Sequence, residues 1–204
     1  MTDQQTPPLP TKEEINLLET FDVLGINDVV VVTNAQQAEQ AFADLNAAGV
    51  VGFDTESKPT FRVGEESTGP HVVQFATLHK GYIFQVHVAE TYATLMAILE
   101  SEDIKKVGFG LGGDMTGMSR RFAIQPRGII DLNSAFSAMG YRKTIGARQA
   151  VALLFKKRFI KSKKISTSNW GNPVLNERQV LYAANDAWVA VCVYQALGAE
   201  AAAG

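Results

Sequence analysis

The sequence predicts an α/β domain with three layers and a mixed central sheet. Short runs of Val, Ile and Phe, as at residues 29–32 and 50–53, favour β-strands because such side chains pack well on a pleated surface. Segments such as 35–48 carry apolar residues at helical spacing, and they lie between and after the strand candidates. Crossover helices of this kind cover both faces of a sheet and produce three layers.

The size and composition of the chain are those of one ordinary globular domain. Of its 204 residues, 46% are apolar and 20% are charged, and the net charge is −2. We expect one domain at residues 11–204 after a disordered, proline-rich tail at residues 1–10. The single cysteine, Cys192, excludes an internal disulfide. No apolar run reaches the roughly 20 residues that span a membrane, and the N-terminus does not resemble a signal peptide, so we expect a cytoplasmic protein without a membrane partner.

The N-terminal half should supply most of the sheet. Thr11 and Glu14 form a capping-box pattern that opens a short helix, and Gly49 stops the helix at residues 35–48. Residues 58–70 are rich in Gly, Pro, Ser and Glu, so they form a loop at the end of the second strand. The predicted strands are residues 29–32, 50–56, 71–78 and 82–86, and the last two form a hairpin.

The C-terminal half should supply two short strands and most of the helices. Asn176 and Gln179 form a second capping box, which opens a long final helix. Ahead of it, a strongly basic connection is expected at residues 156–164. The remaining elements are predicted as a helix around residues 92–99, a strand at 106–111, a helix ending near 122, a strand at 129–131, and helices at 134–141 and 147–155.

Two carboxylates lie at the end of the second predicted strand. Asp54 and Glu56 are separated by one residue, so their side chains point to the same face. Taken alone, the pair fits either a solvated strand end or half of a divalent-metal site, because hard cations usually bind more than one carboxylate. The choice between these interpretations depends on whether further acids lie nearby.

Further candidate acids occur at two other places. Asp114 follows the glycine-rich segment 108–113 between a strand and a helix, at the sheet edge where open α/β sheets place their sites. On the final helix, Tyr182 and Asp186 are four residues apart and therefore share a face. They could form a simple hydrogen-bonded pair, but the alanines around them leave room for a ligand or another element.

Three of these segments resemble the exonuclease motifs of the DEDD superfamily. Their order and spacing together are specific, although each motif alone is weak. In the other subclass a histidine lies five residues before the last aspartate, whereas this chain has Leu181 there and then the tyrosine of the DEDDy subclass. The matching segments are Asp54-Thr55-Glu56, the run Gly-Phe-Gly-Leu-Gly-Gly-Asp that ends at Asp114, and Tyr182 with Asp186.

Another segment is similar to the Werner-type exonuclease domain and its ribonuclease D relatives. It extends from Lys164 to Trp170 and is followed by Leu175 and Gln179. The similarity covers roughly residues 29–196. It implies a ribonuclease H-like fold and hydrolysis of phosphodiester bonds from the 3′ end of DNA or RNA.

The resemblance also implies two divalent metal ions, Mg²⁺ or Mn²⁺. Asp54 would bridge both ions, Glu56 and Asp186 would complete the first, and Asp114 would serve the second. Tyr182 would orient the attacking water or take its proton. The chemistry is consistent with this, since two ions about 3.5–4 Å apart stabilise both the attacking and the leaving oxygen.

The nucleic acid with its 3′ end is the expected partner, and several residues are candidates to contact it. Six cations lie within residues 156–164, where they either contact phosphates or form a solvated loop. Trp170 either stacks on a base or anchors the basic segment against the domain. The candidate contacts are Thr55, Phe61, Arg62, Lys161, Lys163, Lys164 and Trp170.

Other polar residues have simpler explanations. Asp131 follows a strand without a second acid two residues on, so we expect a structural cap. His71, His79 and His87 lack the cysteine or carboxylate spacing of a zinc site. The rival to an exonuclease is a catalytically silent nucleic-acid-binding or scaffold protein on the same fold, which usually lacks one of the acids. All four acids are present here.

Overall fold

One mixed sheet forms the centre of the protein. The computed structural model describes residues 7–60 and 68–203. Its strands are β1 (Val29–Val32), β2 (Val50–Glu56), β3 (Val72–Ala76), β4 (Gly81–Gln85), β5 (Lys105–Gly108) and β6 (Ile129–Asp131). They pair in the order β1-β4-β3-β2-β5-β6, with β3 antiparallel to both neighbours and the other pairs parallel. The predicted mixed sheet is therefore confirmed.

Helices cover both faces of this sheet. In the described residues they are α1 (Lys12–Leu17), α2 (Ala35–Ala48), α3 (Ala89–Glu100), α4 (Gly112–Phe122), α5 (Leu132–Ala138), α6 (Ala147–Phe155), α7 (Lys163–Ser166) and α8 (Glu177–Ala203). On one face, α2, α3 and α4 pack against Phe53 and Phe75. On the other face, α8 packs its alanines against Val72 and Ile83. These are the three predicted layers.

The contact between α8 and β2 is unusually close, and it depends on Gly52. A Cβ atom at this position would lie 1.8 Å from the carbonyl oxygen of Ala187. No side chain fits there, so the helix backbone rests directly on the strand. Because side chains alternate along a strand, Asp54 and Glu56 share the face of Gly52 and also point toward α8.

The predicted capping boxes are both present. The Thr11 side chain accepts a hydrogen bond from the N–H of Glu14, whose carboxylate accepts from the N–H of Thr11. Asn176 and Gln179 make the equivalent reciprocal bonds ahead of α8. Of the predicted tail at residues 1–10, residues 1–6 lie outside the described part of the chain, and the remaining four have no regular secondary structure.

Several element boundaries differ from the predicted ones around Asp131. The strand predicted at 106–111 ends at Gly108, because Gly110 has a left-handed φ of 65° and the N–H groups of Gly110 and Leu111 donate to the Asp131 carboxylate. The same carboxylate accepts from the N–H of Asn133 and caps α5, which begins two residues earlier than predicted. Asp131 is thus the structural cap that the sequence predicted.

The length of α8 reflects its central position. From Glu177 to Gly198 it is long and apolar enough to cross a membrane, judged by length and composition alone. Most of this stretch is buried inside the protein. Packing against the sheet therefore accounts for its apolar composition, as in the core helices of other globular domains.

We predict that Gly52→Ala destabilises the protein by about 1–3 kcal/mol or more, the usual cost of overpacking a core. The added methyl group would clash with backbone, which cannot move aside as a flexible side chain does. Urea denaturation monitored by circular dichroism measures the change. Gly198→Ala is the matched control, because nothing lies within 4 Å of a Cβ there. Equal stability of Gly52→Ala and wild type would contradict the described contact.

Candidate active site

Three carboxylates converge where α8 crosses the end of β2. Asp186 immediately precedes Ala187, the residue whose carbonyl lies against Gly52, and it is 4% exposed. The contact at Gly52 fixes the short distance between α8 and β2, and it thereby brings Asp186 close to Asp54 and Glu56. One oxygen from each of Asp54, Glu56 and Asp186 lies within 4.8 Å of the others. The sequence prediction that these acids meet is thus realised in the fold.

The fourth predicted acid lies beside this group rather than inside it. Asp114 is in the first turn of α4, and its carboxylate accepts a hydrogen bond from the Thr55 hydroxyl. Thr55 lies between the two strand acids but points to the opposite face of β2. The hydrogen bond therefore ties Asp114 to the strand that carries Asp54 and Glu56. This role of Thr55 differs from its predicted contact with nucleic acid. No pattern in the sequence indicates the hydrogen bond to Asp114.

Lys161 contacts the acids of the site directly, which the sequence did not predict. The sequence predicts that it contacts phosphates with its basic neighbours, but its Nζ lies 2.7 Å from Oδ2 of Asp186. The same Nζ is 5.4 Å from the centre of the Tyr182 ring. Lys161 is therefore a charge partner of the acids. No local pattern identifies it, because it belongs to an irregular segment 25 positions from Asp186 in the sequence.

The tyrosine lies one helical turn before Asp186, as predicted. The Tyr182 hydroxyl and Oδ1 of Asp186 are buried without a hydrogen-bond partner among the described residues. The tyrosine ring packs 5.9 Å from the ring of Trp170, which is fully buried and donates its indole N–H to the carbonyl of Ser166. This burial and the hydrogen bond to Ser166 favour the anchoring alternative for Trp170 over base stacking.

Gln74 is a site neighbour that the sequence analysis missed. It pairs with Asp54 across β2 and β3, so both side chains share the face toward α8. Its side chain is fully buried, and neither amide atom has a hydrogen-bond partner among the described residues. From the sequence, a glutamine in a predicted hairpin strand could lie on either face of the sheet, so its position beside Asp54 could not be predicted.

The basic segment divides into two parts. Lys157 forms an ion pair with Glu19, and Arg158 donates to the carbonyl of Asn16, so these cations fasten the N-terminal segment. Lys163 and Lys164 are exposed at α7 and stay candidates for contact with nucleic acid. The two remaining candidates, Phe61 and Arg62, lie outside the described residues.

A sequence model of the 3′-5′ exonuclease family matches residues 29–202, which is most of the chain. The chain belongs to this family. The bifunctional 3′-5′ exonuclease/ATP-dependent helicase WRN of Mus musculus is 32% identical over 156 residues. That match covers 76% of this chain and 11% of the mouse protein, so the chain corresponds to a small part of that relative.

Solved structures of exonuclease domains share the fold. The EXO domain of Aedes aegypti Nibbler has a TM-score of 0.76 at 21% identity, covering 90% of this chain and 94% of that domain. Escherichia coli RNase D has a TM-score of 0.72 at 20% identity, covering 86% of this chain and 45% of that protein. The predicted ribonuclease H-like fold is confirmed by these similarities together with the mixed sheet.

The exonuclease-type site places its acids in a poorly solvated space, where the ionised form of each is disfavoured. Burial, followed by the charges of Asp54 and Asp186, raises the pKa of the Glu56 carboxyl to about 9. Burial also raises the pKa of Asp54 and of Asp186, while Lys161 opposes both shifts. Although burial lowers the pKa of the Lys161 ammonium, Asp186 and Asp54 raise it above its ordinary value overall. A single ammonium therefore compensates three converging acids only in part.

The donor atoms of the site fit a divalent cation. Carboxylate oxygens are the ligands that Mg²⁺ and Mn²⁺ prefer. Coordination would also satisfy Oδ1 of Asp186, which has no hydrogen-bond partner within the described parts of the chain. Asp54, Glu56 and Asp186 can hold one ion together. These features support a divalent-metal site, in agreement with the family to which the chain belongs.

We predict that the metal-free protein loses stability as pH rises from about 5 to about 9. Because the folded-state pKa of Glu56 is about 9, the folded protein keeps a proton that the unfolded chain releases near its ordinary pKa of 4.5. The folded state therefore binds more protons in this interval, and unfolding becomes easier with each unit of pH. Thermal unfolding in EDTA across this range, compared with Glu56→Gln, measures the contribution of Glu56.

The Glu56→Gln profile should be flatter than that of wild type. Saturating Mg²⁺ should stabilise wild type more at high pH than at low pH, since metal and proton compete for the same oxygens. Identical pH profiles for wild type and Glu56→Gln would show that the Glu56 pKa is not raised.

Proposed function

We propose that this protein is a metal-dependent 3′-5′ exonuclease that acts on DNA or RNA by a two-metal mechanism. The observation that carries the proposal is the convergence of Asp54, Glu56 and Asp186, with Tyr182 one turn before the last acid, in a member of the exonuclease family. The mouse relative is named as a 3′-5′ exonuclease, and a Trypanosoma brucei RNase D in the same structural group was solved in complex with RNA. These names support a nucleic-acid substrate.

Each acid has a proposed role as a ligand. With metal bound, Asp54, Glu56 and Asp186 would be ligands of one ion, and Asp114, which lies beside Thr55, would be a ligand of a second ion shared with Asp54. Bound divalent ions, Mg²⁺ or Mn²⁺, supply an activated water and stabilise charge on the leaving oxygen. Asp114 lies close enough for its charge to raise the pKa of Asp54 and of Glu56, which supports its assignment to the same site.

Tyr182 is proposed to orient the attacking water. Burial, followed by the charge of Asp186, raises the pKa of its hydroxyl above the ordinary value near 10. The hydroxyl therefore stays protonated at neutral pH, which favours a hydrogen-bonding role over that of a general base. Its lack of a hydrogen-bond partner among the described residues leaves it available to a water or a substrate oxygen.

The substrate strand has room on both sides of the acids. A cavity of about 410 Å³ contacts Tyr182 and Asp186 and is lined by apolar groups that include Leu181. A second cavity of about 490 Å³ is lined by polar groups that include Thr55 and Asp114. We propose that the 3′ end passes between these cavities, with the exposed Lys163 and Lys164 contacting its phosphates.

Digestion of end-labelled oligonucleotides tests the proposed activity. We expect 5′-labelled DNA or RNA to shorten progressively in Mg²⁺ or Mn²⁺, and a blocked 3′ end to prevent it. Single-stranded and duplex substrates of both kinds, assayed side by side, identify the preferred end.

Asp54→Asn should lower the rate by more than about 10²-fold, because metal-ion stabilisation is worth several kcal/mol and each 1.4 kcal/mol is a factor of ten. Asp103→Asn, which changes an exposed acid on a loop, is the matched control and should retain the wild-type rate.

In EDTA the Asp54→Asn protein should be at least as stable as wild type, since the substitution relieves repulsion among the acids. Nucleic-acid binding without hydrolysis under every metal condition would favour the silent rival, and near-normal turnover by Asp54→Asn would overturn the metal assignment.

A further inference from the structure

The ammonium of Lys161 pairs with a carboxylate of the acid cluster that a bound metal ion would also use. It is 2.7 Å from Oδ2 of Asp186, whose side chain is 1% exposed, whereas the lysine side chain is 35% exposed. Other ion pairs among the described residues join exposed or half-exposed partners, such as Arg127 with Glu102. The pair of Lys161 and Asp186 differs from these because it includes the buried acid of the cluster.

This arrangement has a physical reason in the protein without metal. Buried Asp186 and half-buried Asp54 and Glu56 have oxygens within 4.8 Å of one another, so ionising them is unfavourable unless a positive charge lies nearby. Lys161 provides that charge from a long side chain on the segment before α7, and because this side chain is partly exposed it can turn toward solvent. Asp186, by contrast, is fixed in the middle of α8 and cannot withdraw.

A divalent ion on Asp186 would compete with this ammonium for the same carboxylate. Two cations so close together repel each other strongly in a poorly solvated site. We propose that Lys161 is a built-in counter-ion that stabilises the metal-free site, and that Asp186 exchanges it for a divalent ion when metal binds. The proposal rests on the metal site of the proposed function. It follows that Lys161 weakens metal binding while it protects the fold when metal is scarce.

The ion pair is tested first without metal, so that this result does not depend on the proposed function. In EDTA, Lys161→Met should lower Tm by about 3 °C or more in the wild-type background. It should have a much smaller effect in the Asp186→Asn background, where its main partner is neutral. Lys163→Met, which removes an exposed charge from the same segment, controls for net charge. An equal loss of Tm in both backgrounds would show that Lys161 contributes only packing.

The exchange is tested by titrating Mn²⁺ in a calorimeter. Lys161→Met should bind Mn²⁺ about tenfold more tightly than wild type, equivalent to removing a competitor worth 1.4 kcal/mol. Lys161→Arg and Lys163→Met should bind as wild type does. Affinity that is unchanged or weaker in Lys161→Met would overturn the exchange. Failure of every variant and of wild type to bind Mn²⁺ would instead refute the metal site, while the result in EDTA would still decide the ion pair.

Chemical labelling of lysines in the wild-type protein covers the case in which Lys161→Met does not fold. Mg²⁺ should increase the rate at which Lys161 reacts with an amine-specific reagent, since the ammonium leaves the acid cluster. Lys163 should react at the same rate with and without Mg²⁺. Peptide mass spectrometry reads both sites in one sample, and a Lys161 rate that does not respond to saturating Mg²⁺ would overturn the exchange.

Discussion

The direct contact of the α8 backbone with β2 at Gly52 is the constraint on which the site depends. Because no side chain separates the two elements, Asp186 reaches the same small volume as Asp54 and Glu56. The site is therefore assembled by core packing between a strand and a helix rather than by loops. Catalytic geometry of this kind is well fixed, since rigid elements hold side chains more precisely than loops do.

The same packing creates an electrostatic cost. The acids lie in a space where burial raises their pKa values, and a lysine compensates them only in part. A site with this charge gains most from a bound divalent cation, which explains how stability and function are linked here. The buried ion pair between Lys161 and Asp186 is consistent with that account, because a buried acid without a partner is strongly destabilising.

Local sequence patterns predicted most of the elements, and together with the motif resemblance they identified the acids. Strand alternation placed Asp54 and Glu56 on one face, and the spacing of four placed Tyr182 beside Asp186. The position of Lys161 could not be predicted, because an irregular segment has no period that encodes a distant contact. The burial of Trp170 and the hydrogen bond between Thr55 and Asp114 likewise depend on tertiary packing, which propensity does not describe.

Anomalous X-ray diffraction from crystals soaked in Mn²⁺ can show whether Asp54, Glu56 and Asp186 jointly hold a divalent ion. We expect an anomalous peak within coordination distance, about 2.0–2.6 Å, of oxygens from all three acids. We also expect the Lys161 ammonium to have moved away from Asp186 in that crystal. Fully occupied manganese elsewhere on the protein, with these three carboxylates uncoordinated and Lys161 still paired to Asp186, would refute both the metal site and the exchange.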